Sequence, residues 1–208
     1  MEKNLSKLGI SGFSLIEVMI SLLIVVVIMA GLFSSFRGQQ RSHMAQSQTI
    51  EMQQNIRGVL YVMAREIRMA GYDPDNRLDA KILNAGDGSN FDNAFTFSFV
   101  INDSDTDVGE LQTISYYLYD AYSDGDGNDG IGRSANGNLQ PLADNIQTLE
   151  FTYLDQDGVE TSDLSRIRSV QVNIIARVDT ALTDYTINED TRVTRSVSTI
   201  VNCRNLGF

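Results

Sequence analysis

From Phe13 to Phe36 the chain runs for 24 residues with one ionisable side chain, Glu17. As a helix rising 1.5 Å per residue, such a run measures about 36 Å, enough to cross a hydrocarbon core of about 30 Å. Lys3 and Lys7 precede it, and basic residues on that side predict a cytoplasmic N-terminus. Any fold must therefore accommodate one long apolar helix. The rest of the 208 residues suffices for one domain of ordinary size.

A removable secretory signal, a plain anchor and a buried core helix are the ordinary readings of such a run. A signal has an apolar stretch of about 7–15 residues, whereas this one continues past Ala30 and Gly31 through Leu32, Phe33 and Phe36. A core helix needs neither the basic leader nor the length. A plain anchor leaves Glu17 unexplained, because an unpaired carboxylate in lipid costs about 2–3 kcal/mol or more. A cut between Gly12 and Phe13 would supply a partner: the new α-amino group of Phe13, four residues before Glu17. With helices stacked at an axial offset, Glu17 of one subunit meets the Phe13 amine of the next. Such a desolvated pair sets register more than it adds stability.

The residues Gly12-Phe13-Ser14-Leu15-Ile16-Glu17 resemble the cleavage motif of type IV prepilins and type II secretion pseudopilins. The resemblance implies that a prepilin peptidase cuts after Gly12 and N-methylates Phe13, and that Glu17 serves assembly. It also implies a membrane platform protein and a cytoplasmic assembly ATPase as machinery. Many major pilins have a helix-kinking proline in the apolar segment; here none precedes Pro74, which predicts a straighter helix.

Beyond Phe36 the chain turns polar without a helix stop. Met52, Ile56, Val59 or Leu60, Met63, Ile67 and Ala70 recur every three or four residues, the pattern of a helix with one face on a core. Gly71, followed by Tyr72-Asp73-Pro74, predicts its end. A helix from about Ser14 to Ala70 spans about 85 Å.

The period then changes to two. Phe95, Phe97 and Phe99 alternate with Thr96 and Ser98, and Ile114, Tyr116 and Leu118 with Ser115, Tyr117 and Tyr119. Further strands are expected at Leu149 to Tyr153, Val170 to Val178 and Val193 to Val201. The fold class is α+β: a long N-terminal helix, transmembrane in its first half, packed against an antiparallel β-sheet head. The expected divisions are a leader over 1–12, a transmembrane and polymerisation helix over 13–36, its amphipathic continuation over 37–72, and a β-rich head over 73–208.

Within the head, Asn55 to Pro74 and the stretch from Leu139 to Tyr153 resemble the PilW type of minor pilin, parts of which the J-type minor pseudopilin shares. The resemblance implies a low-copy subunit that helps start a type IV pilus and sits near its tip, in contact with other major and minor pilins. It places the head in the periplasm before assembly into a surface pilus. A type II secretion pseudopilin and a membrane-tethered adhesin are the alternatives.

Asp124, Asp126 and Asn128 put oxygen side chains at alternate positions, and a carbonyl near Gly130 could complete a calcium loop above Ile131. Asp129 stands where that pattern needs glycine, and Ala135 where it needs a bidentate glutamate. An acidic hairpin turn accounts for the same composition. Asp155-Gln156-Asp157-Gly158 predicts a tight turn with Gly158 at positive φ. Cys203 and His43 are each the only residue of their type, which disfavours a disulfide and a zinc site. With 27 acidic against 16 basic residues, the surface repels phosphate, so no direct nucleic-acid partner is expected. No nucleophile, base and orienting carboxylate stand together, and no enzymatic activity is expected.

Overall fold

The computed structural model describes residues 12–102, 109–120, 129–179 and 192–206. It divides into two units, Met1–Gln46 and Ser47–Phe208, through both of which one helix, α1 (Leu15–Ile67), runs. Ser14 opens α1, its carbonyl accepting the Glu17 and Val18 N–H groups at 3.0 and 3.2 Å. No proline interrupts its 53 residues. In the first unit every large apolar side chain from Phe13 to Phe36 is more than half exposed. The stretch is long and apolar enough to cross a membrane, with a mean hydropathy of 2.8 over its best window.

In the second unit the helix acquires a buried face: Met52, Ile56, Val59, Met63 and Ile67, followed by Ala70 beyond its end. These are the positions that the three-to-four spacing selects. Gly71 ends the run at φ 78°, a conformation that costs glycine little and other residues more. A Cβ at Gly71 would lie 2.5 Å from Leu206, so close approach restricts the position as well.

The head is a seven-stranded antiparallel sheet with strands in chain order: β1 (Ile82–Ala85), β2 (Phe95–Asn102), β3 (Gly109–Asp120), β4 (Asp129–Ala135), β5 (Asn138–Leu154), β6 (Ser169–Asp179) and β7 (Arg192–Asn202). The sheet is curled, and one face lies on α1. Phe95, Phe97, Ile114, Tyr116, Ile131, Ile146, Val170, Val172 and Ile174 are buried there to 1% exposure or less. Phe95 anchors the aromatic part of this core, with ring centroids of Phe97, Phe151 and Tyr153 at 5.1–5.4 Å.

The end of the helix is joined to the sheet by backbone hydrogen bonds. Gly71 N–H donates to the Ser98 carbonyl at 3.0 Å, and Val100 N–H to the Tyr72 carbonyl at 2.7 Å. A second tie is ionic. Glu66, on the buried side of α1, accepts from Arg133 of β4 through both carboxylate oxygens, at 2.9 and 3.0 Å. The Tyr116 hydroxyl of β3 donates to the same carboxylate.

The expected strands over 95–99, 114–118, 170–178 and 193–201 all form. The strand expected from Leu149 to Tyr153 is the end of a much longer one, since β5 begins at Asn138. β4 and β1 are additions to the expected set. In β4 the outward positions Gly130 and Gly132 lie beneath rings of β3: a Cβ at Gly130 would meet the Tyr119 ring at 2.8 Å, and one at Gly132 the Tyr117 ring at 3.2 Å.

Candidate functional site

The N-terminal segment is the candidate site, and its geometry is simple. Gly12 precedes the helix, and a Cβ added to it would have nothing within 4 Å. Phe13 is 80% exposed. Both positions precede the helix, since α1 begins only at Leu15.

Glu17 lies in the first turn of α1. There its carboxylate faces the positive end of the helix macrodipole, which favours a negative charge by about 0.3–1 kcal/mol. The helix thus gives Glu17 a partial partner that reasoning from side chains alone overlooks. It falls well short of the cost of a full charge in lipid. One turn on, Ser21 Oγ donates to the Glu17 carbonyl at 2.7 Å, which satisfies its hydroxyl within the helix. Toward the far end of the apolar run, the Arg37 guanidinium sits over the Phe33 ring, 4.7 Å from its centroid, a cation–π contact.

Of the proposed calcium ligands, Asp124, Asp126 and Asn128 lie outside the described residues. Gly130 belongs to β4, opposite Tyr119, and Ile131 is buried in the core. Among the described residues no three His, Cys, Asp or Glu side chains are grouped as metal ligands.

The turn after β5 is built as expected. Gly158 adopts φ 76°, and Asp155 Oδ1 accepts the Asp157 and Val159 N–H groups, each at 3.0 Å. Arg166 Nη2 donates to the other oxygen at 2.8 Å. These backbone donors, Val159 first, outweigh burial and hold the Asp155 carboxyl below its ordinary range.

Sequence reasoning missed the Glu66, Arg133 and Tyr116 cluster. A signal was present: Glu66 stands seven residues after Val59 and three after Met63, in register with the core-facing positions. A charge there implies a buried partner. Burial first, then the neighbouring Glu66 carboxylate, pushes the Tyr116 phenol far above its ordinary value. The hydrogen bonds that Arg133 donates to the Glu66 carboxylate raise its pKa and hold it charged.

Comparison with known proteins agrees with both halves of this description. The model of the prokaryotic N-terminal methylation motif matches residues 9–33, a range that contains Gly12, Phe13 and Glu17. A type IV-like pilin from Thermus thermophilus superposes with a TM-score of 0.52, at 14% identity, over 74% of this chain and 97% of that one. At that identity the likeness is one of fold. No curated protein matches the chain in sequence. The chain thus carries a prokaryotic N-terminal methylation motif at its start and, over most of its length, a fold similar to that of a type IV-like pilin.

Proposed function

We propose that the chain is a minor type IV pilin of the PilW type, a low-copy structural subunit that helps to initiate a pilus and remains near its tip. The observation that carries this reading is the methylation motif over 9–33, which runs into the first part of an unbroken helix whose apolar side chains up to Phe36 are exposed. A helix retained after processing presents a continuous apolar surface, which must be covered first by lipid and then by the helices of neighbouring subunits. The uninterrupted course of α1, without a proline kink, favours a minor over a major subunit. The Arg65 to Tyr72 stretch that resembles the PilW type contains Glu66, the residue that ties helix to sheet.

In this reading the leader, 1–12, is cytoplasmic and is removed by prepilin peptidase, which also methylates Phe13. The helix over 13–36 anchors the subunit in the inner membrane, with the head in the periplasm. The platform protein and assembly ATPase then draw the subunit into a filament beside other pilins.

The test is N-terminal sequencing of the protein recovered from membranes, together with the composition of sheared surface filaments. The expected result is a methylated Phe13 at the terminus and this chain at low copy beside an abundant major pilin. A terminus at Met1, or one beyond Ala30, overturns the processing. Recovery only in filaments of a type II secretion system reassigns the subunit as a pseudopilin.

A further inference from the structure

The solvent side of the second half of α1 carries a ridge that the fold does not use. At about 100° per residue, Ile50, Arg57, Tyr61, Arg65 and Arg68 fall within an arc of about 80°, opposite the face that buries Met52, Ile56, Val59 and Met63. Arg68 continues the helical path one residue past Ile67, its N–H bonding the Ala64 carbonyl at 3.3 Å. Tyr61 is 71% exposed and Ile50 54%; the three arginines are exposed as well.

Ion pairs join Lys81 with Asp79, Arg133 with Glu66, and Arg166 with Asp155. The guanidinium groups of Arg57, Arg65 and Arg68 take part in none of them. The contrast with the rest of the molecule is large. From Gly71 onward the chain has 23 acidic and nine basic residues, whereas α1 with Arg68 has five arginines against three glutamates. One of those three, Glu66, is already neutralised by Arg133.

An exposed tyrosine between arginines has the composition of an interface centre, where aromatic residues and arginine are enriched and lysine is depleted. We infer that the Arg57, Tyr61, Arg65 and Arg68 ridge seats the head on an acidic face of the adjacent pilin-like subunit, an inference that rests on the filament reading above. Charge complementarity selects this occupant. The contact joins unlike surfaces, basic helix to acidic head, and a heterologous contact of that kind is compatible with an open helical filament. Beyond about 8 Å, salt screens the general repulsion between two acidic domains, leaving the attraction at the contact. Duplex DNA fits the ridge less well. Three guanidinium groups offset about three phosphates, and the continuing phosphate charge, one per roughly 1.7 Å, would lie against the acidic domain.

The test is photo-crosslinking of the full chain in its own cells with Tyr61→p-benzoylphenylalanine, followed by mapping of the adduct peptides. The expected adduct lies in a net-acidic segment of another chain that carries the N-terminal methylation motif. Its yield should fall at least about tenfold in the Arg57→Glu, Arg65→Glu double variant and persist in the Arg57→Lys, Arg65→Lys variant. A chain recovered in sheared filaments with no adduct at position 61, or with one only to DNA or lipid, overturns the ridge and leaves the filament reading intact. So does an adduct whose yield ignores both double variants. A chain absent from filaments altogether overturns the filament reading and the ridge with it.

Discussion

Arg133 of β4 grips Glu66 of α1 through two parallel hydrogen bonds, Nη2 to Oε1 at 2.9 Å and Nε to Oε2 at 3.0 Å, with each side chain about nine-tenths shielded from water. Such a pair is weak evidence of stability as a unit, because desolvation offsets much of the attraction. Breaking it is another matter. Glu66→Ala should destabilise the head by about 3–5 kcal/mol, since it strands the Arg133 charge. Glu66→Leu with Arg133→Met should cost less than the two single changes added together. Denaturant unfolding of the four proteins measures the coupling; additive effects would show that the pair does not act as a unit.

Asp155 makes the stability of the β5 to β6 turn depend on pH. Its folded pKa is depressed, chiefly by the Val159 and Asp157 N–H groups and the Arg166 charge, so the ionised form is favoured in the folded state. Its contribution is present above the ordinary carboxyl range, near 3.8, and is lost as pH falls through the lower folded value. Asp155→Asn should therefore lower the melting temperature at neutral pH. The gap from the parent protein should narrow below about pH 4. A gap independent of pH would remove the electrostatic account.

Cys203 is 4% exposed, and burial pushes its thiol from 9.0 up to about 12. The reactive species is the thiolate, and a rise of that size reduces its population by about a thousandfold near pH 8. A maleimide or disulfide reagent should leave the native protein essentially unmodified and label one thiol per chain on unfolding in guanidinium. Fast labelling of the native protein would mean that the C-terminal end of the sheet opens readily.

Glu17→Val tests the charge in the apolar run. Membrane insertion should be unchanged or improved, because a carboxylate leaves lipid. The helix should lose only the dipole contribution of about 0.3–1 kcal/mol. If the proposed pairing of Glu17 with the Phe13 amine of a neighbour sets register, incorporation into filaments should nevertheless fall. Comparing the sheared-filament and membrane fractions by immunoblot measures the effect; equal ratios for variant and parent would eliminate the role in register.

What could be read in the sequence follows from which elements carry a one-dimensional signal. The spacing of Met52, Ile56, Val59 and Met63 marks the helix face directly, and the Val170 to Val178 alternation marks β6, because in both cases burial is recorded in side-chain type. β4 escaped notice because its outward residues Gly130 and Gly132 have no side chains to alternate. Their place is filled by the Tyr117 and Tyr119 rings of the neighbouring strand, a relation that exists only between strands. The same holds for Glu66, whose partner stands 67 residues away. The candidate site was the most legible part because a methylation motif is a contiguous string of residues.

The strand order has a consequence for how the head is made. Each strand after β1 pairs with the one that precedes it in the chain, so pairing can advance in step with synthesis from the N-terminal end. Contacts between sequence neighbours keep loop-closure entropy low, which favours rapid folding for a β-rich structure. β2 and β3 can close on the Met52 to Ala70 face before β6 and β7 have been made. The growing edge then moves along the chain with each added strand, and β1 and β7 are the two edges of the finished sheet. A truncation after β5 should accordingly leave a protected hairpin array rather than a random chain, with its exposed boundary at Ile146 to Leu154.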